Sequence, residues 1–299
     1  MTVAARLAAE VPAGGQPDSR PLRVVTWNIR AAIGPGEPFP AAWWRHVRRD
    51  RLERIAEVLR ALEPDVVTLQ EVAMMNAEGE IHDQAADLGR LIGLHAGYGA
   101  VHAYPLIEPE TGRSIGSASW GNAILSREPL RDAFTIGLPR ARDDDLVEPV
   151  GADHELAGVR YEEAAPGHRE ARCAVGGRLA VGETEIGVVT CHLTYIGRRQ
   201  RLEQVAALAG VAGRLGDRVV VTGDFNAPLD ADELEPIRAS FDDAFGASGV
   251  AIDDPDRHTW HASPIDHVVA RGLRAVACRV VTEAGDASDH LPVVADLVH

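Results

Sequence analysis

Four short Val-rich runs each stop at a residue that does not belong in an apolar core. "RVVTWN" ends at Asn28, "VVTLQE" at Glu71, "GVVTCH" at His192 and "VVVTGD" at Asp224. Short β-branched runs bounded by turn residues read as buried strands. An acid beside such a strand is expensive unless something cationic gathers it. Taken singly, each of these residues reads as a cap, a turn or a satisfied core polar group. Taken together they constrain the fold, because it has to bring several polar strand ends to places where their charge is used. "GDFNAP" sharpens the point. Residues i and i+2 of a strand share a face, so Asp224 and Asn226 project together with Phe225 turned toward the core. Gly, Asp, Asn and Pro also favour a plain turn, and that reading stays open for the segment alone.

The order of elements fits a layered α/β protein. The sequence predicts a strand at 23–29, a helix over 50–62 with Leu52, Ile55, Leu59 and Leu62 on one face, and a strand at 65–72. Further on it predicts a helix within 82–94, a strand near 98–104, and strands at 117–126 and 132–138 that read as antiparallel neighbours. Strands at 170–181 and 185–195 precede a helix over 198–215 that carries Leu202, Val205, Leu208, Ala212 and Leu215 inward. "RVVVTGDFN", a short helix near 231–239, strands near 258–261, 265–270 and 274–282, and a last strand from "SDHLPVVADLV" complete the chain. Two helix-then-strand units occupy similar places in the two halves. The expectation is a four-layer α/β/β/α sandwich: two mostly antiparallel sheets face to face, helices outside. Residues 1–21 read as a flexible leader and 22–299 as one domain. The acidic, apolar-poor stretch 139–168 reads as a long surface loop.

Composition narrows the partners. The 299-residue chain carries a formal charge of −15, and all 30 of its Lys-plus-Arg residues are Arg. That balance disfavours avid binding to bulk nucleic acid. It does not exclude a nuclease, since bound divalent cations reverse the local field. Cys173, Cys191 and Cys278 show no disulfide or zinc spacing and read as buried free thiols. With no signal-peptide pattern and no long apolar window, the expected location is the cytoplasm and the expected state a monomer.

More polar residues join the strand ends: Asp266 and His267 in "PIDHVVA", and Asp289 and His290 in "SDHLPV". The segments "TWNIR", "LQEV", "GNAILSR", "TCHL", "TGDFNAP", "IDHVVA" and "SDHLPV", in this order, resemble the endonuclease/exonuclease/phosphatase superfamily, from about residue 23 to the C-terminus. "GDFN" followed by "SDH" at 288–290 is the specific pairing; "WN" or "QE" alone is weak. The resemblance implies a divalent-metal-dependent phosphoesterase using Mg²⁺ or Mn²⁺. It implies Glu71 as the principal metal ligand, Asn28 beside it, and Asp289 as a further oxygen ligand. By the same resemblance Asp224 orients or deprotonates the attacking water, and Asn226 holds that water or a phosphate oxygen. His192 and His290 flank the phosphoryl group, with Asp266 orienting His290.

Four further residues are candidates for substrate contact: Arg30, Asn122, Glu170 and Arg172. Arg30 stands where apurinic endonucleases carry an acid, and either meets a substrate phosphate or braces Glu71. Asn122 either reaches the phosphate or bonds backbone, and Glu170 and Arg172 either line the cleft or pair in charge. Arg198, Arg199 and Arg201 read as a solvated helix start, and His258, His261 and His267 as ordinary surface or sheet histidines. Trp43 and Trp44 stand as specificity walls or a core edge. A small or lipid-like phosphodiester is the favoured substrate. A nonspecific nuclease acting on nucleic acid and a non-catalytic metal-binding module are the alternatives.

Overall fold

The computed structural model describes residues 20–36, 43–140, 171–195 and 197–298, with no account of the side chains of Trp43, His102 and Tyr104. Glu170, residues 1–19 and the stretch 141–168 therefore lie outside the described residues. Strands in chain order are β1 (Leu22–Asn28), β2 (Val66–Ala77), β3 (Glu80–Asp83), β4 (His95–Ile107), β5 (Ser114–Ser126), β6 (Arg131–Gly137) and β7 (Cys173–Val181). They continue with β8 (Thr184–His192), β9 (Val219–Asp224), β10 (Asp242–Asp243), β11 (Asp266–Arg271), β12 (Arg274–Val280) and β13 (Val293–Val298). The longer helices are α1 (Arg49–Leu62), α2 (Gln84–Ile92) and α3 (Arg198–Ala212).

The strands form two sheets. One runs β12-β13-β1-β2-β5-β4, with β3 paired to β2, and the other runs β10-β11-β9-β8-β7-β6. At the centre of each sheet lies one parallel pair, β1–β2 and β8–β9; the remaining pairs are antiparallel. Between the sheets Val24, Val66, Ile124, Val175, Val188, Val220, Val268 and Val293 pack together. On the outside, Ile55, Leu59 and Leu62 of α1 and Leu88 of α2 cover the first sheet. Val205 and Leu208 of α3 cover the second. Burying each such side chain contributes roughly 1.5–3 kcal/mol, so the apolar alternation of the strands holds the layers together. This is the four-layer α/β/β/α sandwich.

Local signals explain the helix ends. Asp83 caps α2 by accepting from the Ala86 N–H at 3.0 Å, and Gly93 closes it at φ +75°. Glu63 takes the left-handed position after α1, ahead of Pro64.

Four expectations are corrected. β5 and β6 are not neighbours: β5 lies between β2 and β4, whereas β6 edges the other sheet beside β7, so the "REPL" turn carries the chain from sheet to sheet. Residues 258–261 make no strand; Trp260 forms an isolated bridge to Ser263, three residues on, within a tight turn. Leu202 is 42% exposed, and the inward face of α3 carries Arg201 and Gln204 with Val205 and Leu208. Arg201 is therefore not solvated. It forms a buried ion pair with Glu233 at 2.6 Å and donates to the Thr194 carbonyl, which satisfies its charge.

Candidate active site

The C-terminal ends of β1, β2, β8 and β9 open at one rim, and the polar strand ends meet there. Parallel register sets this up: Asn28 stands beside Gln70 in one sheet, and His192 beside Asp224 in the other. Asn28 spans the gap. Its Nδ2 donates to Glu71 Oε1 at 3.0 Å and to Asp224 Oδ2 at 3.1 Å, while its Oδ1 accepts from the Arg30 N–H at 3.1 Å.

Glu71 reaches this point through a β-bulge. Leu69 pairs with Ala123 and Val72 with Gly121, so β2 holds one residue more than β5 across the interval. Glu71 takes φ +52°, a conformation that non-glycine residues adopt at a cost. The bulge lets consecutive residues, Gln70 and Glu71, both face the inter-sheet side. Glu71 lies deep in the cleft with part of its side chain still reached by solvent.

Asp224 is the hub. Besides Asn28, its Oδ2 faces His192 Nε2 at 3.3 Å and His290 Nε2 at 3.9 Å, and its Oδ1 accepts from the Asn226 N–H at 2.9 Å. Asn226 does not continue the strand. It sits beyond β9 at φ +51°, and its Nδ2 donates to the Leu193 carbonyl at 2.9 Å. The turn reading of "GDFN" holds, and the expected projection of both side chains from one strand face does not: an Asx turn brings the Asn226 N–H, not its side chain, to Asp224. Phe225 points into the core, as expected.

His290 is fixed from several sides. Its Nδ1 meets Asp266 Oδ2 at 2.8 Å, its carbonyl accepts from Trp27 Nε1 at 2.8 Å, and neighbouring Ser288 donates to the Asn28 carbonyl at 2.8 Å. Trp260, half-exposed, places its ring 6.1 Å from that of His290. Asp289 pairs with Arg30 at 3.5 Å. Arg30 also donates to the Gly34 carbonyl.

The other predicted residues lie around this centre or deeper in the sheets. Asn122 Nδ2 donates across the sheets to the Cys173 carbonyl at 3.0 Å. Arg172 is buried, with its guanidinium 5.9 Å from the Tyr195 ring centre. His267 is a sheet histidine bonded through Nε2 to the Ala227 carbonyl. Trp44 packs at a core edge formed by Ala31, Ala73, Met75, Leu106 and Ala118. The three cysteines are buried free thiols.

Electrostatics separate the roles. Burial raises Glu71 above the usual carboxylate range, and the charge of Asp289 adds to this. Burial and the Asp266 charge push Asp224 up to about 7. Burial opposes a cationic His290, yet the charge and hydrogen bond of Asp266, aided by Asp224 and Asp289, raise it to about 10. Burial, Arg172 and His290 hold His192 well below its ordinary value, so it is neutral.

These acids fit a divalent cation. The charge of Asp289 disfavours an ionised Glu71, and one oxygen of Asp266 has no hydrogen-bond partner among the described residues. Asp224, Asp266 and His290 also offer ligand atoms within 4.8 Å of one another. Oxygen-rich sets of this kind suit hard cations. In the latter group the His290 Nδ1 already meets Asp266, while at the other ligand candidates Asn28 Oδ1 accepts from the Arg30 N–H and Asp289 pairs with the Arg30 guanidinium.

Sequence reasoning missed the residues one layer below. Thr26, Thr190 and Thr222 each lie two positions before a site residue, in "TWN", "TCH" and "TGD", and all are fully buried. The recurring threonine on the site-facing side was the available signal.

The polar ends of paired parallel strands thus gather at one rim of an α/β/β/α sandwich. The chain belongs to the Endonuclease/Exonuclease/phosphatase family, whose model matches residues 25–290. Among solved structures, the endonuclease/exonuclease/phosphatase of Beutenbergia cavernae is 24% identical, with a TM-score of 0.62 over 93% of this chain and 72% of its own. The human Nocturnin catalytic domain, solved with a sulfate anion, is 18% identical with a TM-score of 0.61 over 93% of each chain. The mannosyl-6-phosphatase of Bacteroides thetaiotaomicron is 19% identical with a TM-score of 0.58 over 93% of this chain and 100% of its own. These likenesses establish the fold. No curated protein matches the chain in sequence, and no helix among the described residues is long and apolar enough to cross a membrane.

Proposed function

We propose that the chain is a divalent-metal-dependent phosphodiesterase acting on a small or lipid-like substrate. The observation that carries this reading is the Asn28 amide joining Glu71 of one sheet to Asp224 of the other. Glu71, Asn28 and Asp289 would hold Mg²⁺ or Mn²⁺, which when bound neutralises phosphate charge. Asp224, at about 7, is basic enough near neutral pH to take a proton from the attacking water. Asn226 keeps the Asp224 carboxylate oriented through its backbone N–H. His290, kept cationic by Asp266, donates to a non-bridging phosphate oxygen. His192, neutral, faces the same centre from β8 and assists the departing oxygen. Arg30 holds Asp289 in place, and Arg172 adds positive field beneath the phosphate.

The net charge of −15 supports a small substrate over a nucleic-acid backbone. A monomer in a reducing cytoplasm agrees with three buried free thiols. The exposed part of the Trp260 ring beside His290 favours one second reading, a nuclease that stacks a base there. Hydrolysis of bis(p-nitrophenyl) phosphate, p-nitrophenyl phosphate, a lipid phosphodiester and supercoiled plasmid, with and without chelator, tests both. Diester cleavage abolished by chelator is the expected result, plasmid nicking at a comparable rate favours the nuclease, and rates indifferent to chelator overturn the metal.

A further inference from the structure

Between the sheets, one layer below the site, lies a band of polar side chains where valine would pack equally well. Thr26, Thr68, Gln70, Thr190 and Thr222 are all fully buried. Gln70 Nε2 donates to Thr26 Oγ1 at 3.1 Å in its own sheet and to Thr190 Oγ1 at 2.9 Å in the other. Thr222 Oγ1 reaches Thr68 Oγ1 across the same gap at 2.8 Å. Polar groups buried in this way cost free energy wherever one is left unsatisfied, and Gln70 Oε1 has no hydrogen-bond partner among the described residues. A core would not keep such a group for packing alone.

The position of Gln70 supplies the reason. It is the first of the two bulge residues, and Glu71 is the second. Glu71 sits at φ +52°, which persists only where the surroundings over-determine it. Its side chain is held by Asn28, and the Gln70 carbonyl accepts from the Ile29 N–H at 3.1 Å. The Ile29 tie stays within the first sheet, and Asn28 links the Glu71 side chain onward to Asp224 of the second. The Gln70 amide ties a bulge residue directly to the second sheet, at Thr190, two residues before His192.

We propose that Gln70 is a positioning residue: its side chain clasps the two sheets at the bulge and so sets where the Glu71 carboxylate stands relative to the β8–β9 half of the site. The inference rests on the metal-ligand reading of Glu71 for its catalytic consequence, though not for the clasp itself. Thr222 and Thr68 provide the internal control. They make the same kind of bond across the same gap, but Thr68 precedes the bulge.

The test compares Gln70→Leu, Thr190→Val, Thr190→Ser and Thr222→Val in the full chain. Three quantities are read: hydrogen exchange of the backbone amides at 70–72, Mn²⁺ affinity by calorimetry, and kcat and KM on bis(p-nitrophenyl) phosphate. Gln70→Leu should speed exchange at the bulge by about tenfold or more and weaken Mn²⁺ binding by about 10–100-fold, the usual loss when a supporting shell is removed. kcat should fall with KM little changed. Thr190→Val should do the same from the other end of the bond, which covers a Gln70→Leu chain that fails to fold. Thr190→Ser, which keeps the hydroxyl, should behave as the parent. Thr222→Val should lower Tm without moving Mn²⁺ affinity or bulge exchange. Parent-like exchange and Mn²⁺ affinity in Gln70→Leu and Thr190→Val, or an equal loss in Thr222→Val, would overturn the clasp. A parent chain that neither binds Mn²⁺ nor cleaves the diester would instead remove the proposed function, and the exchange comparison would still decide the clasp.

Discussion

In the first sheet β1 and β2 run parallel, with α1 between them in the chain; in the second, β8 and β9 do the same around α3. Thr26 stands beside Thr68 in one pair and Thr190 beside Thr222 in the other, so the two units match residue for residue below the site. They part at the rim. β9 delivers Asp224 in regular register, directly beside His192. β2 delivers Gln70 in that place and needs an extra residue to bring Glu71 in as well. One half thus presents its acid in unbroken register, through a glycine, and the other by an added residue held from outside. Straight register sets a position through close backbone approach, whereas a bulge sets it through side-chain ties. The two should fail differently.

The largest expected effect breaks the straight half. Gly223 takes φ +139°, and a Cβ there would lie 2.0 Å from the Cys191 carbonyl oxygen. Neither backbone can retreat without breaking the β8–β9 ladder, so Gly223→Ala should cost more than about 4 kcal/mol. Denaturant unfolding measures it, and a loss below 1 kcal/mol would show that β9 reaches its end by some other geometry. Next comes the bulged half. Glu71→Gln keeps size and removes charge, so stability should hold while diester turnover falls by about 10²–10³. Near-parent turnover in folded Glu71→Gln would remove Glu71 from the site.

What the sequence shows follows the same division. Strand ends at Asn28, His192 and Asp224 are legible because apolar runs mark a strand and the first polar residue marks its rim. The bulge at Glu71 is not legible, since an added residue in β2 is defined only against β5. The misplaced β5–β6 pairing has the same origin: two adjacent strands joined by a short turn look alike whether or not the chain changes sheets there. Arg201 is read wrongly for a further reason. Its acid, Glu233, lies far along the chain, so nothing local reveals that the charge is buried.

A pH measurement on the metal-free protein sharpens the comparison at the point where the halves meet. His290 belongs to the first-sheet end, after Ser288 and Asp289, while Asp266 begins β11 of the second. His290 is raised to about 10 against burial, chiefly by Asp266. A group whose pKa rises on folding stabilises fully below its unfolded value, about 6.5, and that stability fades as pH climbs through the folded value. Stability should therefore decline between roughly pH 6.5 and 10. Asp266→Asn should flatten this slope and lower the His290 midpoint seen by NMR. An unchanged midpoint would mean that Asp266 does not govern His290.

The smallest effects separate the two helices. α3 places Arg201 against Glu233 with both side chains 6% exposed, whereas α1 places Arg49 near Glu53 at 3.3 Å with side chains 87% and 53% exposed. Removing Arg201 leaves Glu233 facing the half-exposed Arg198 at 3.3 Å and takes away its buried partner, so Arg201→Ala should cost about 3 kcal/mol. Burial works against ionised Glu233, but Arg201 outweighs it and holds the carboxyl below its usual range. That contribution is present above the ordinary carboxylate pKa and is lost as pH falls through the lowered one, so Arg201→Ala should also weaken the acid limb of the stability profile. Arg49→Ala should change stability by no more than about 0.5 kcal/mol, because water screens an exposed i,i+4 pair and both side chains keep their freedom. If the two substitutions cost the same, the Arg201–Glu233 pair is hydrated in solution, and α3 is held to its sheet by its apolar face and by Gln204 rather than by the ion pair.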